Sequence, residues 1–276
     1  MRKGIAVTAK KIMILPDAHF PHQDNEALAC VEAAVAVIDP DEIVVLGDWL
    51  DAGGFSRHNQ WSFDDGTHSY LADEVAPCND FLDVLQGRKD RKVVYLEGNH
   101  EARVEKFFVN EGRTRSARDL NRLASPERCL RYRIDANGDP GSKRKHFKWV
   151  PYVGKGVHSH HKIAPDLVAI HGWSFAEDFN RVNEKSAPSV SVVCGHVHRA
   201  ASRTTRDSIT GQVKHYWSPG CLSELVPLYM ANSPHNWTHG FTIVYKSRRR
   251  PRDWTPEHVV ITNGRAILPD GREVSA

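Results

Sequence analysis

Five apolar runs in this chain share one design: a short stretch of branched or aromatic side chains ends abruptly in Gly, Asp, His or Asn. Ile12-Met13-Ile14-Leu15 leads into Pro16-Asp17-Ala18-His19, and Ile43-Val44-Val45-Leu46 into Gly47-Asp48-Trp49-Leu50-Asp51. Val93-Val94-Tyr95-Leu96 leads into Glu97-Gly98-Asn99-His100-Glu101, Leu167-Val168-Ala169-Ile170 into His171-Gly172, and Val190-Ser191-Val192-Val193-Cys194 into Gly195-His196-Val197-His198-Arg199. Such runs read as strands. The run at Ile43 lacks polar alternation, as a parallel strand buried on both faces does. Asp24 is placed to cap a helix over Asn25 to Ile38, stopped by Asp39-Pro40. Strand, helix, strand is a right-handed β-α-β unit, in which polar groups gather at one end of the sheet.

Between and after these runs the pattern changes. A loop from Ala52 to Thr67 is expected to rim that end, followed by a helical stretch from about Ser69 to Gln86 interrupted by Pro77. From about residue 102 to 150 charged helix gives way to an irregular segment near Asn137 to Ser142, which reads as an insertion or cap. From His171 onward the strands read as an antiparallel series. Its turns are expected at Ile209-Thr210-Gly211-Gln212, Asn263-Gly264 and Pro269-Asp270-Gly271, with C-terminal hairpins at about 241–276. The whole of 1–276 reads as a single domain with no internal repeat.

Charge adds a partner question. The formal net charge of +3 is too small to indicate nucleic acid, but the basic residues are clustered. In the insertion Arg103, Lys106, Arg113, Arg115, Arg118, Arg122, Arg128, Arg131, Arg133, Lys143, Arg144, Lys145 and Lys148 outnumber the acids, and Lys246 to Arg252 forms a basic loop. Both read either as solvated faces or as contacts to a phosphate backbone. The 5 cysteines form no Cys-x-x-Cys pair, which indicates a reducing compartment rather than a disulfide framework. With no run of membrane-span length and too short an apolar N-terminal patch for a signal peptide, a cytoplasmic protein without a membrane partner is expected.

The chemistry lies in the strand ends. Asp17, His19, Asp48, Asn99, His171, His196 and His198 are candidate metal ligands, and their mixture of hard oxygens and imidazoles suits Mn²⁺, Fe or Zn²⁺ better than Ca²⁺ or Mg²⁺. They are too many for one ion; two ions sharing a carboxylate would absorb them and leave open positions. Asp17 and His19, like His196 and His198, are two apart, so extended backbone would turn each pair to one side. A lone histidine at a strand end is more often a structural residue. His158, His160 and His161 are rivals to His171, but only His171 follows an apolar strand and precedes glycine.

The set resembles the calcineurin-like metallophosphoesterase superfamily, whose blocks run D-x-H, G-D-x-x-D, G-N-H-(E/D), H and G-H-x-H. The likeness covers about residues 12 to 222, including Ser218-Pro219-Gly220, which is similar to the family's N-P-G turn. It implies an α/β fold, a four-layer α/β/β/α sandwich of two mixed sheets flanked by helices, with two divalent metals. By resemblance Asp17, His19 and His198 hold one ion, Asn99, His171 and His196 the other, and Asp48 bridges them. His100 is then the proton donor to the leaving group, with Asp51 as its carboxylate partner. The activity implied is phosphoester hydrolysis by a hydroxide formed between the metals. Mn²⁺ is the favoured ion, with Fe or Zn²⁺ as alternatives.

One departure narrows the substrate. Protein phosphatases of the family carry arginine directly after the position of Asp51, whereas this chain has Ala52; Arg103, Arg199 or His58 is left to touch substrate. The basic segments and the missing arginine favour a phosphodiesterase, with a DNA or RNA nuclease as its extension. A phosphomonoesterase acting on a small metabolite or phosphoprotein is the alternative, and a non-catalytic binding module, which would be expected to lose ligands, the remote one. Oligomeric state is not legible.

Overall fold

The computed structural model describes residues 8–56, 68–87, 91–111, 115–152, 158–227 and 235–276. One β-α-β-α-β unit forms its centre: β1 (Lys10–Leu15), α1 (Asn25–Ile38), β2 (Glu42–Val45), α2 (Ala76–Gln86) and β3 (Lys92–Leu96). Asp24 caps α1 through its Oδ1, which accepts the Ala27 N–H at 2.8 Å, and Asp39 ends it in a left-handed conformation. Pro77 does not break the expected helix. It falls in the first turn of α2, where no amide hydrogen is missed, and a π-helical turn at Tyr70–Val75 precedes it.

The remaining elements are α3 (Glu101–Glu111), α4 (Arg115–Ala124), α5 (Pro126–Arg131), β4 (Phe147–Val150), β5 (His161–Ala164), β6 (Leu167–Ile170), α6 (Phe179–Ser186), β7 (Ser191–Cys194), β8 (Ala200–Arg206), β9 (Val213–Pro219), β10 (His239–Lys246), β11 (Trp254–Ile261) and a small hairpin, β12 (Arg265–Ile267) with β13 (Glu273–Ser275). Two mixed sheets result, in the orders β11-β10-β1-β2-β3-β4 and β5-β6-β7-β9-β8.

Strand alternation explains the layering. Ile12, Ile14, Val44, Leu46, Val94 and Leu96 point into an inter-sheet core that they share with Leu167, Ala169, Val193 and Trp217. Met13, Leu15, Ile43, Val45, Val93 and Tyr95, one residue out of step, face the layer of α1 and α2. Val168, Ile170 and Val192 face the outer side of the second sheet, where Phe179 of α6 covers them. Helix, sheet, sheet and helix are therefore stacked in the four layers expected.

Two expectations are corrected. The strands after His171 do not begin as an antiparallel series: β7 lies parallel to both β6 and β9, and antiparallel pairing starts with β8 against β9. A parallel neighbour requires a crossover, and α6 supplies it. The end of the 102–150 segment is no cap, since β4 pairs parallel with β3 as the edge of the first sheet. Nor is all its basic charge free. Arg144 is buried, with Nε on the Leu130 carbonyl at 3.1 Å, one guanidinium nitrogen on Asn79 Oδ1 at 3.1 Å and an ion pair to Asp83. Arg133 also pairs with Asp83, and Arg131 with Glu127.

Away from the strand ends that carry the motifs, Glu42 is buried at the start of β2 and holds Lys10, Lys92 at 2.9 Å and His161 at 3.2 Å. Burial opposes its charge, but these partners outweigh it and keep the carboxyl well below the usual range. A depressed carboxyl contributes stability above its unfolded pKa, about 4.3, and loses that contribution as the pH falls through and below it. Glu42→Gln is expected to destabilise the protein by about 1.5–3 kcal/mol near neutral pH, because it removes the charge of a buried carboxylate bonded to Lys10, Lys92 and His161. In urea melts the gap from wild type should hold between pH 7 and about pH 5 and shrink only below about pH 4, as the pH falls toward the folded-state pKa; a gap that stays constant there would contradict this account.

Candidate metal centre

All five motif-bearing turns emerge at one end of the sandwich and are laced together by backbone bonds to one another's carboxylates. Asp17, in the turn after β1, accepts the His196 N–H at 2.9 Å, and Asp48 Oδ1 accepts the His100 N–H at 2.8 Å. The approach is close enough to require glycine: a Cβ at Gly195 would lie 2.3 Å from Asp17 Oδ1, and one at Gly98 2.0 Å from Asp48 Oδ1. His19, Asp48, His196 and His198 all have positive φ, from 50° to 71°. Side chains held there cost roughly 1–3 kcal/mol each, a strain that clusters at functional sites.

Two groups of donor atoms result. In the first, Asp17 Oδ2 lies 3.2 Å from His198 Nε2, which is 3.1 Å from His19 Nε2. In the second, His171 Nε2 lies 3.2 Å from Asp48 Oδ2 and 2.9 Å from Asn99 Oδ1, and His196 belongs to the same cluster. The expectation from extended backbone fails for His196 and His198, because their left-handed φ fans the two rings into different groups. Asp48 also joins His19 and His100 in a third grouping, so it lies between the two clusters.

The donor chemistry fits cations. His171 Nδ1 lies 2.8 Å from the Leu46 carbonyl, which accepts its N–H; burial opposes a second proton on Nε2, but Asp48 outweighs it and pushes the pKa up to about 10, and a cation between the two acceptor oxygens would take that proton's place. Asp51 Oδ1, 3.0 Å from His19 Nδ1, likewise accepts that ring's N–H. Buried His196 Nε2 and His198 Nδ1 have no hydrogen-bond partner. Burial and the neighbouring His171 push the His196 pKa down to about 4, which keeps its ring neutral and able to ligate. Ligand atoms around an ion at about 2.0–2.2 Å lie roughly 3 Å apart, the spacing found here.

His100 stands beside these groups. Its Nδ1 is 3.0 Å from Asp51 Oδ1 and 2.8 Å from the Asp51 carbonyl, and its Nε2 is 3.9 Å from Asp48 Oδ2. Burial works against a charge on the ring, but Asp48 and the Asp51 bond outweigh it and push the pKa up to about 9. Asp51 thus serves two histidines, His19 and His100. The Arg103 guanidinium lies against His100, each terminal nitrogen 2.9 Å from a ring nitrogen.

The other expected contacts divide. Arg199 turns away from the cluster: its guanidinium bonds the Ala176 carbonyl and, at 2.9 Å, that of Glu177, and lies over the Phe179 ring. His58 lies outside the described residues. Of the rivals to His171, His161 belongs to the Glu42 cluster and His158 stacks on Trp173. The loop after β10 is at the wrong end. Antiparallel pairing sets Lys246 opposite Lys10, at the start of β1, whereas Asp17 follows its end. The seven-residue advance spans about 20 Å.

The sequence alone assigns no task to Glu101. Its carboxylate is buried and accepts the backbone N–H groups of Asp48, Trp49, Leu50 and Gly98 at 2.8–3.1 Å and the Tyr95 hydroxyl at 2.6 Å. It ties the turn after β2 to the turn after β3. The only signal in the chain is its place in the Gly-Asn-His-Glu motif.

Several known proteins are similar to this chain. Residues 10–207 match the family model described as calcineurin-like phosphoesterase. The gene 54 protein of Mycobacterium phage L5 is 26% identical over 284 residues, covering 96% of this chain and 98% of its own. Among solved structures, Chaetomium thermophilum Vps29 aligns with a TM-score of 0.40 at 12% identity, covering 97% of this chain and 95% of that one. Pseudomonas putida nuclease MPE aligns at 0.36 and 14% identity, covering 85% and 84%.

Glu101→Gln retains size but turns an amide NH₂ toward N–H donors. It is expected to lower stability by about 3–5 kcal/mol and to abolish the rise in Tm on adding Mn²⁺. Thermal unfolding with and without Mn²⁺ measures both, and an unaltered metal-induced shift would show that Glu101 does not position the cluster.

Proposed function

The chain belongs to the calcineurin-like phosphoesterase family of metal-dependent phosphoester hydrolases, and from that premise we propose that it is a two-metal phosphodiesterase. The observation that carries this reading is the pair of donor groups meeting at Asp48 with the His100–Asp51 pair beside them. Asp17, His19 and His198 would hold one divalent cation, and Asn99, His171 and His196 the other, with Asp48 shared. When bound, such cations acidify water into a nucleophile and offset charge on the phosphoryl oxygens. Mn²⁺ is the ion we favour on donor chemistry, with Fe or Zn²⁺ sharing the preference.

The rest falls to the protein. An alkoxide leaving group needs a proton, and His100, kept protonated by Asp51 and Asp48, is placed to give it. Arg103 lies against the same ring, where its charge opposes that of His100 in part and it can meet a phosphoryl oxygen. The position after Asp51 is Ala52, buried, with its N–H on Glu74 at 2.7 Å. A dianionic monoester therefore finds no guanidinium there, which favours a diester with its single negative charge. The basic loop at Lys246 to Arg252 does not support this choice, since it lies at the far end of the sheet.

Hydrolysis of a matched diester and monoester with Mn²⁺, beside a chelated control and His100→Asn, tests the reading. The diester is expected to be preferred, the chelated protein inactive, and His100→Asn slowed by about 10²–10⁴-fold on an alkyl leaving group. Preference for the monoester would replace the diesterase by a phosphomonoesterase, and full activity of His100→Asn would remove the proton-donor role.

A further inference from the structure

Two aromatic rings adjoin imidazoles of the two donor groups, Phe175 tilted against His196 and Trp237 edge-to-face with His198. The Phe175 ring centroid is 3.9 Å from that of His196, yet Phe175 is 74% exposed. Trp237, half-buried, lies 4.2 Å from His198 and 5.0 Å from His235. Each ring thus adjoins a different donor group, with Asp48 between the groups.

Phe175 is also braced. The Ser174 hydroxyl accepts the Ala176 N–H at 3.2 Å, and Arg199 bonds the carbonyls of Ala176 and Glu177 while packing on Phe179. An exposed aromatic ring contributes little to burial, so a charged side chain anchoring its loop has no evident purpose in the core. An exposed aromatic ring on a braced loop, with a second ring beside the other donor group, is what the bases flanking a phosphate stack on.

We infer that the substrate is a single-stranded nucleic acid whose scissile phosphate lies at the two donor groups, with one flanking base on Phe175 and the other on Trp237. This rests on the diesterase reading for the bond broken, but not for the binding of bases. Phe175 and Trp237 are binding residues here, and Arg199 is a positioning residue that acts through the loop. A duplex keeps its base faces stacked internally and does not offer them, so single strands are preferred. Stacking is sequence-tolerant, and a preference for particular bases is not part of the inference.

The test is a binding measurement that needs no turnover. Full-length His100→Asn protein loaded with Mn²⁺ is titrated with a short oligodeoxythymidylate, the same backbone without bases, and a blunt duplex, followed by anisotropy. The strand with bases is expected to bind about 5- to 150-fold more tightly than the abasic one for each stacked base. Phe175→Ala or Trp237→Ala in that background should reduce the ratio towards one, while Phe175→Tyr restores it. Equal binding of normal and abasic strands, or a ratio untouched by both alanine variants, overturns the inference. If the ratio holds but wild type cleaves only monoesters, the diesterase reading fails and the base site stands. If diesters are cleaved but the ratio is absent, the base site fails and the diesterase stands.

Discussion

The structure of the site depends on one buried carboxylate. Glu101 gathers four backbone N–H groups and a phenol from the ends of β2 and β3. Those amides point inward where no strand partner reaches them, and an unsatisfied buried amide costs about 1–3 kcal/mol. Gathering them around one anion fixes the turn that carries Asp48 relative to the turn that carries Asn99 and His100. Asp48 and Glu101 repel one another, so this geometry also brings two carboxylates closer than either would choose alone. Donors to Glu101 and imidazoles around Asp48 offset that repulsion, and a bound cation would relieve it further.

Strain points the same way. Four candidate ligands occupy left-handed backbone positions, which a free chain seldom adopts. They persist because the turns are cross-tied by bonds such as His196 N–H to Asp17 and His100 N–H to Asp48. Beneath them the inter-sheet core of Ile14, Leu46, Leu96 and Val193 is fully buried, a base on which strained turns can be held. The candidate donor atoms are thereby held together by the fold itself.

Much of this is legible in the chain because it is local. Each motif directly follows its strand, so the order of residues alone puts Asp17, Asp48, Asn99, His171 and His198 at strand ends. The cap at Asp24 and the turn at Asn263-Gly264, where both residues have positive φ, are equally readable. What depends on distant pairing is not. The task of Glu101 requires two turns to meet, and Phe175 and Trp237 lie in loops without periodicity. α6 is too polar a stretch to announce itself as a crossover, and so β7 reads as antiparallel when it is parallel. Basic composition misleads for the same reason. Arg144 is a buried tie between the segment after β3 and α2, and the run at Lys246 is carried away from the site by the direction of β10.

Charge and shape together bear on the substrate more strongly than the count of basic residues does. A monoester presents terminal oxygens with up to two negative charges, and these call for guanidinium or ammonium groups beside the metals. Here Arg199 is turned to two loop carbonyls and the position after Asp51 is a buried alanine, which leaves Arg103, against His100, to meet a phosphoryl oxygen. In a diester, one of those oxygens is esterified: it carries no charge and brings an organic group that must be packed. The neighbours available for packing are aromatic, Phe175 on one donor group and Trp237 on the other. On the reading we propose, a phosphate with a substituent on each side finds more to pack against here than a terminal phosphate does, and planar substituents find most.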